Sequence, residues 1–211
     1  MAQRIAIVDY GMGNLRSVEK ALAYVAPSAL VAITAEPEAI RSADRVVFPG
    51  QGAMPDCMKC LAGRGLGEAV REAASSKPFL GLCIGLQMLF ERSDEGDTPG
   101  LAILPGEILA FGRAEATREG RFKIPHMGWN EAWQAQYHEL WRGIPDGARF
   151  YFVHSYYCAP RDPALTSAIS HYPHAFTSAI ARDNIFATQF HPEKSSTAGL
   201  KLLENFASWT P

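Results

Sequence analysis

Residues 78–90 read PFLGLCIGLQMLF, and this stretch decides the architecture. Pro78 to Leu82 is an apolar run of strand length. After Cys83, the residues Ile84, Leu86, Met88, Leu89 and Phe90 follow in the pattern of an amphipathic helix. A reactive side chain flanked by Gly81 and Gly85 at such a strand-to-helix turn is a nucleophile-elbow arrangement. The glycines permit a sharp bend and a close approach of neighbouring backbone. The helix start behind the cysteine offers unpaired N–H groups and a positive dipole end, which favour a thiolate. The same pattern, taken alone, equally suits a buried structural cysteine at a tight turn.

Upstream, Arg4 to Asp9, Leu30 to Thr34 and Arg45 to Phe48 are further strand-length runs, nearly all apolar. Strands covered by helices on both faces have this composition. Leu15, Val18, Leu22 and Val25 predict one intervening helix, with others from Thr34–Pro37 and around Gly67 to Ser75. Downstream, strands are expected at Leu101 to Phe111, Phe150 to Cys158, Thr166 to Ser170, Phe176 to Ala181 and Ile185 to Gln189, before a closing helix over Ala198 to Trp209. Trp133, Tyr137, Leu140 and Trp141 have helical spacing, and Ala114 to Phe122 reads as an exposed loop or hairpin tip. Strands alternating with helices predict a parallel sheet, with partly antiparallel additions in the second half.

The chain has 211 residues and a net charge of -2, so neither nucleic acid nor an anionic membrane is an expected partner. No apolar run is long enough to span a bilayer. Four cysteines, Cys57, Cys60, Cys83 and Cys158, fit thiols in a reducing cytoplasm. Cys57 and Cys60 form one CxxC without a second pair or a nearby histidine, so two helix-borne thiols are expected, with no metal and no cofactor. Gly11 to Arg16 lacks the third glycine of a dinucleotide loop. His138 and His154 are assigned structural roles.

Two further motifs follow predicted strands. Gln189-Phe190-His191-Pro192-Glu193 sets a carboxylate two residues from an imidazole. Pro192 biases His191 towards an extended conformation, in which alternate side chains share a face. Glu193 then orients the ring, which is left free to take the Cys83 proton. Pro49-Gly50-Gln51-Gly52 is a loop able to turn a backbone N–H into the same site as an oxyanion donor. All three motifs lie at the carboxyl ends of strands, where open α/β sheets build their sites.

Together these segments resemble a class I glutamine amidotransferase domain. Asp9 to Leu15 (DYGMGNL), Pro125 to Asn130 (PHMGWN) and His191 to Ser195 (HPEKS) narrow the resemblance to the glutaminase subunits of imidazole glycerol phosphate synthases, over nearly the whole chain. The resemblance implies an α/β, doubly wound, flavodoxin-like, mixed but mostly parallel sheet flanked by helices, as a single domain over residues 1–211. It implies Cys83 as nucleophile, His191 as general base and acid, and Glu193 as its orienter. The oxyanion would rest on the N–H of Ile84 and on one from Gly50, Gln51 or Gly52. Gln87, Glu95, Ser155 and Tyr156 would hold L-glutamine; Met127, Trp129 and Asn130 would face a TIM-barrel cyclase partner in a heterodimer. The expected activity is hydrolysis of glutamine through a thioester, with ammonia passed to that cyclase in histidine biosynthesis. The alternatives are a glutaminase subunit of anthranilate or aminodeoxychorismate synthase, and a flavodoxin-like cysteine hydrolase.

Overall fold

In the computed structural model, which describes residues 2–112 and 122–211, the apolar runs of the first half form parallel strands. These are β1 (Arg4–Val8), β2 (Leu30–Thr34), β3 (Arg45–Gly50) and β4 (Phe79–Cys83). With β13 (Ile185–Thr188) they are ordered β2-β1-β3-β4-β13, and every neighbouring pair is parallel. The strand that enters the sheet last along the chain thus lies directly beside β4.

The helices cover both faces. Ile5 and Ile7 of β1 pack with α1 (Leu15–Val25) and the closing helix α6 (Ser196–Ser208), through Val18, Leu22, Leu202 and Phe206. Ala6 and Val8 point the other way, into a core with α2 (Pro37–Ser42), α3 (Met54–Gly63) and α4 (Gly67–Ser76). Period-2 alternation with an apolar side chain at each step explains why these strands show no polar face.

Beyond β13 the sheet becomes mixed. β12 (Ala175–Arg182) runs antiparallel to β13 and divides the sheet. One arm continues through β10 (Tyr156–Pro160), β7 (Gly106–Ala110) and the short β5 (Arg92–Ser93) and β6 (Thr98–Pro99). The other passes through β11 (Thr166–His171) to β8 (His126–Gln134), which pairs with β9 (Ala148–His154). This matches the expected α/β class with antiparallel additions. No helix among the described residues is long and apolar enough to cross a membrane.

Several boundaries differ from expectation. The helix after Cys83, expected to reach Phe90, is the four-residue α5 (Ile84–Gln87), and the strand expected over Leu101 to Phe111 begins only at Gly106. The two departures have one cause. The carbonyls of Met88, Leu89 and Phe90 accept from the N–H groups of Leu101 to Leu104, so neither segment continues its own pattern. Phe150 to Cys158 divides at Ser155 into β9 and β10, which pair with different neighbours. Trp133 belongs to β8, while Leu140 and Trp141 lie in a 3-10 turn, Glu139–Trp141, so these aromatics do not share a helix. Of the polar stretch Ala114 to Phe122, all but Phe122 lies outside the described residues.

Candidate active site

The three motifs end on three adjacent strands. Gly50, the last residue of β3, is in register with Cys83, the last of β4, and Thr188 of β13 is in register with Leu82. His191 therefore begins three residues past the strand next to the cysteine. The turn itself falls on Cys83 (φ 54°, ψ -108°) and not on the flanking glycines. Gly85 answers a packing demand: a Cβ there would lie 1.8 Å from the Phe48 carbonyl oxygen.

His191 Nδ1 is 2.9 Å from Glu193 Oε1, and both side chains are buried. His191 is extended (φ -104°, ψ 96°), as Pro192 predicts, but Pro192–Lys194 then forms a 3-10 turn. It is this turn, begun by the fixed φ of Pro192, that brings Glu193 back to the ring, not strand alternation. Ser195 fixes the segment by donating to the His191 carbonyl at 2.6 Å and accepting from the Tyr151 N–H at 2.9 Å.

His191 Nε2 is buried and makes no well-formed hydrogen bond. The ring and Cys83 line the same cavity. Burial opposes a charge on the ring, yet the neighbouring Cys83 and the bond to Glu193 together outweigh it. The imidazole is raised well above its ordinary value as a result.

Cys83, Ile84, Gln87, Glu95, Gln51, Gly52, Ser155, Tyr156 and His191 line one cavity of about 290 Å³. Gly50 lies behind it, where a side chain would collide with the Tyr10 hydroxyl and with Ile84. The Gln51 carbonyl accepts from the Cys57 thiol at 3.7 Å, which ties the loop to α3. Glu95 accepts from the Met54 N–H at 2.8 Å. Gln87 donates to the Tyr156 carbonyl at 3.2 Å and to Gln189 Oε1 at 3.0 Å. A larger, more open hollow of about 370 Å³ beside β11 and β12 carries no titratable side chain.

The partner-facing candidates lie apart from the cavity. Met127 and Trp129 are exposed on one side of β8. Asn130 is on the opposite side with His126, half-buried, as strand alternation requires.

Sequence reasoning missed Gln189, whose amide donates towards Cys83 Sγ at 3.7 Å. The available signal was an uncharged polar residue immediately before an apolar strand-end motif. It also missed the meeting of His154 with His126, ring nitrogens 2.8 Å apart, which only the β8–β9 pairing brings about.

A strand-end cysteine, a carboxylate-bound histidine just past the neighbouring strand and a glycine loop in register with the cysteine thus gather at the carboxyl ends of three adjacent interior strands. Residues 6–208 match the model of the family "Glutamine amidotransferase class-I", and the chain belongs to that family. Its relatives include the imidazole glycerol phosphate synthase subunit HisH of Aromatoleum aromaticum, 62% identical over 98% of this chain and 99% of that protein, and that of Nitrosomonas europaea, 59% identical over the same shares. Within the class, this chain falls with the HisH subunits. Among solved structures, PurLQS from Thermotoga maritima superposes with a TM-score of 0.72 over 99% of both chains at 15% identity. A glutamine amidotransferase from the same organism gives 0.64, covering 99% of this chain and 84% of that one, also at 15%; these two speak to the fold alone.

Proposed function

We propose that the chain hydrolyses L-glutamine to glutamate and ammonia at Cys83 and delivers the ammonia to a TIM-barrel cyclase subunit, in the cytoplasm. The carrying observation is the geometry at the strand ends, where a carboxylate-bound imidazole and the cysteine line one cavity of about 290 Å³. Membership of the HisH subunits supports the pathway, histidine biosynthesis, and a heterodimer.

The chemistry follows from these groups. Cys83 gives its proton to His191 Nε2, and Glu193 steadies the resulting imidazolium. The thiolate attacks the side-chain amide carbon, and the carbonyl electron pair moves to oxygen. The Ile84 N–H, with one from the Gly50–Gly52 loop, stabilises that oxyanion. As the tetrahedral species collapses, the C–N bond breaks and the nitrogen takes the proton from His191, leaving as ammonia. A γ-glutamyl thioester remains on Cys83. Water then gives a proton to His191 while its oxygen attacks the thioester, and the sulfur leaves as thiolate. Gln87, Glu95, Ser155 and Tyr156 hold the amino-acid end of the substrate.

The Cys83→Ala variant, in complex with the cyclase, is expected to lose glutamine-dependent synthesis and to keep synthesis from added ammonium salts. Loss of both activities would show the cysteine to be structural and overturn the proposal. The rival cysteine hydrolase predicts turnover without any partner and no preference for glutamine.

A further inference from the structure

Beside the cavity, with His154 in its lining, runs a chain of polar groups whose imidazoles the chemistry above does not use. His154 Nδ1 is 2.8 Å from the Tyr156 carbonyl oxygen, His154 Nε2 is 2.8 Å from His126 Nδ1, and His126 Nε2 is 3.3 Å from Asn130 Nδ2. Both ends are chemically fixed. A carbonyl only accepts, so His154 must carry its proton on Nδ1. At the other end, Asn130 Oδ1 accepts from the Glu131 N–H at 2.8 Å, and its Nδ2 donates to the His171 carbonyl at 3.1 Å. The amide is therefore oriented with its NH2 towards His126, and Nε2 of that ring must accept.

One assignment satisfies every link. Asn130 donates to His126, His126 donates through Nδ1 to His154, and His154 donates through Nδ1 to Tyr156. An extra proton on either ring sets two donors against each other. Both rings are buried, which keeps them neutral near pH 7. The chain ends on the carbonyl that also receives Gln87.

We propose that Asn130, His126 and His154 form a one-way hydrogen-bond chain that fixes the Tyr156 carbonyl and the attached wall of the glutamine cavity, making His126 a positioning residue for substrate binding. The part concerning substrate rests on the glutaminase reading. His126 stacks on Tyr172, 4.0 Å away with its ring nearly parallel, and on Phe152 at 4.9 Å. Phenylalanine preserves that stack and removes both nitrogens. Asparagine gives up the stack, but its amide can stand in for the Nδ1–H donor.

Two measurements test this. Long-range proton–nitrogen correlation spectra of the full chain, labelled at histidine nitrogen, are expected to show His126 and His154 both protonated on Nδ1. Protonation of either on Nε2 overturns the proposal. In the complex with the cyclase, His126→Phe is expected to raise the glutamine KM about tenfold with kcat within roughly twofold, the scale of one lost positioning hydrogen bond. His126→Asn is expected to recover most of that loss. An unchanged KM in His126→Phe, or equal damage in both variants, overturns it. If the wild-type complex does not hydrolyse glutamine, the glutaminase reading fails, and the tautomers alone decide whether the chain exists.

Discussion

The residue with most asked of it is Cys83. Its φ of 54° is one that a side-chain-bearing residue adopts at a cost on the order of 1–3 kcal/mol. The cost is met because β4 ends in register with β3 and β13, while Gly85 lies against the Phe48 carbonyl and cannot move aside. Cys83→Ala and Cys83→Gly both delete the sulfur, but only glycine relieves the backbone. Cys83→Gly is therefore expected to be more stable than Cys83→Ala by about 1 kcal/mol in urea unfolding, and equal stabilities would deny the strain. At this scale the sequence was legible: Cys83, His191, Glu193 and Gly50 each sit in a short motif whose chemistry is local. The histidine pair was hidden because its partners are distant in the chain and carry no motif of their own.

At the scale of elements, legibility followed the side-chain pattern. The strands of the parallel core were apparent because burial on both faces leaves an apolar run with little else in it. β8 was passed over because much of its length is half-exposed, with Met127, Trp129 and Trp133 facing outward and giving no apolar–polar alternation. The early end of α5 was invisible because the groups that take its carbonyls come from residues 101–104. A similar long-range tie secures α6. Asn205, buried in that helix, donates to the carbonyls of Leu140 and Arg142 at 3.0 and 2.7 Å. Asn205→Ala leaves both carbonyls short of a partner and is expected to cost about 2 kcal/mol. A melt followed by circular dichroism should show a loss of roughly 5 °C, and an unchanged midpoint would mean that water replaces the amide.

For the molecule as a whole, three buried or half-buried histidines make stability depend on pH. Burial lowers His126 and His138 to about 4 and His154 to about 3. In the unfolded chain such rings take a proton near pH 6.5, whereas in the fold they stay neutral until well below it. Their contribution is whole above the unfolded value. It falls as pH drops from about 6.5 towards about 4, by up to roughly 1.4 kcal/mol per pH unit for each ring. His191 shifts in the opposite direction, so its contribution is intact below the unfolded value and fades only as pH rises. Urea midpoints at pH 7.5, 6 and 5 should decline steeply, and His126→Phe should decline less steeply by one proton. A flat profile would contradict the burial of these rings.

The position of β13 has a consequence for biosynthesis on the ribosome. It is an interior strand, flanked by β4 and β12, yet it is made after almost everything it touches. A nascent chain that has emerged only as far as β12 owns the sulfur but neither the imidazole nor the strand that seats it. On the proposed glutaminase reading, such a fragment would leave the glutamine around it untouched, since β13 must take its place between β4 and β12 before sulfur and imidazole meet.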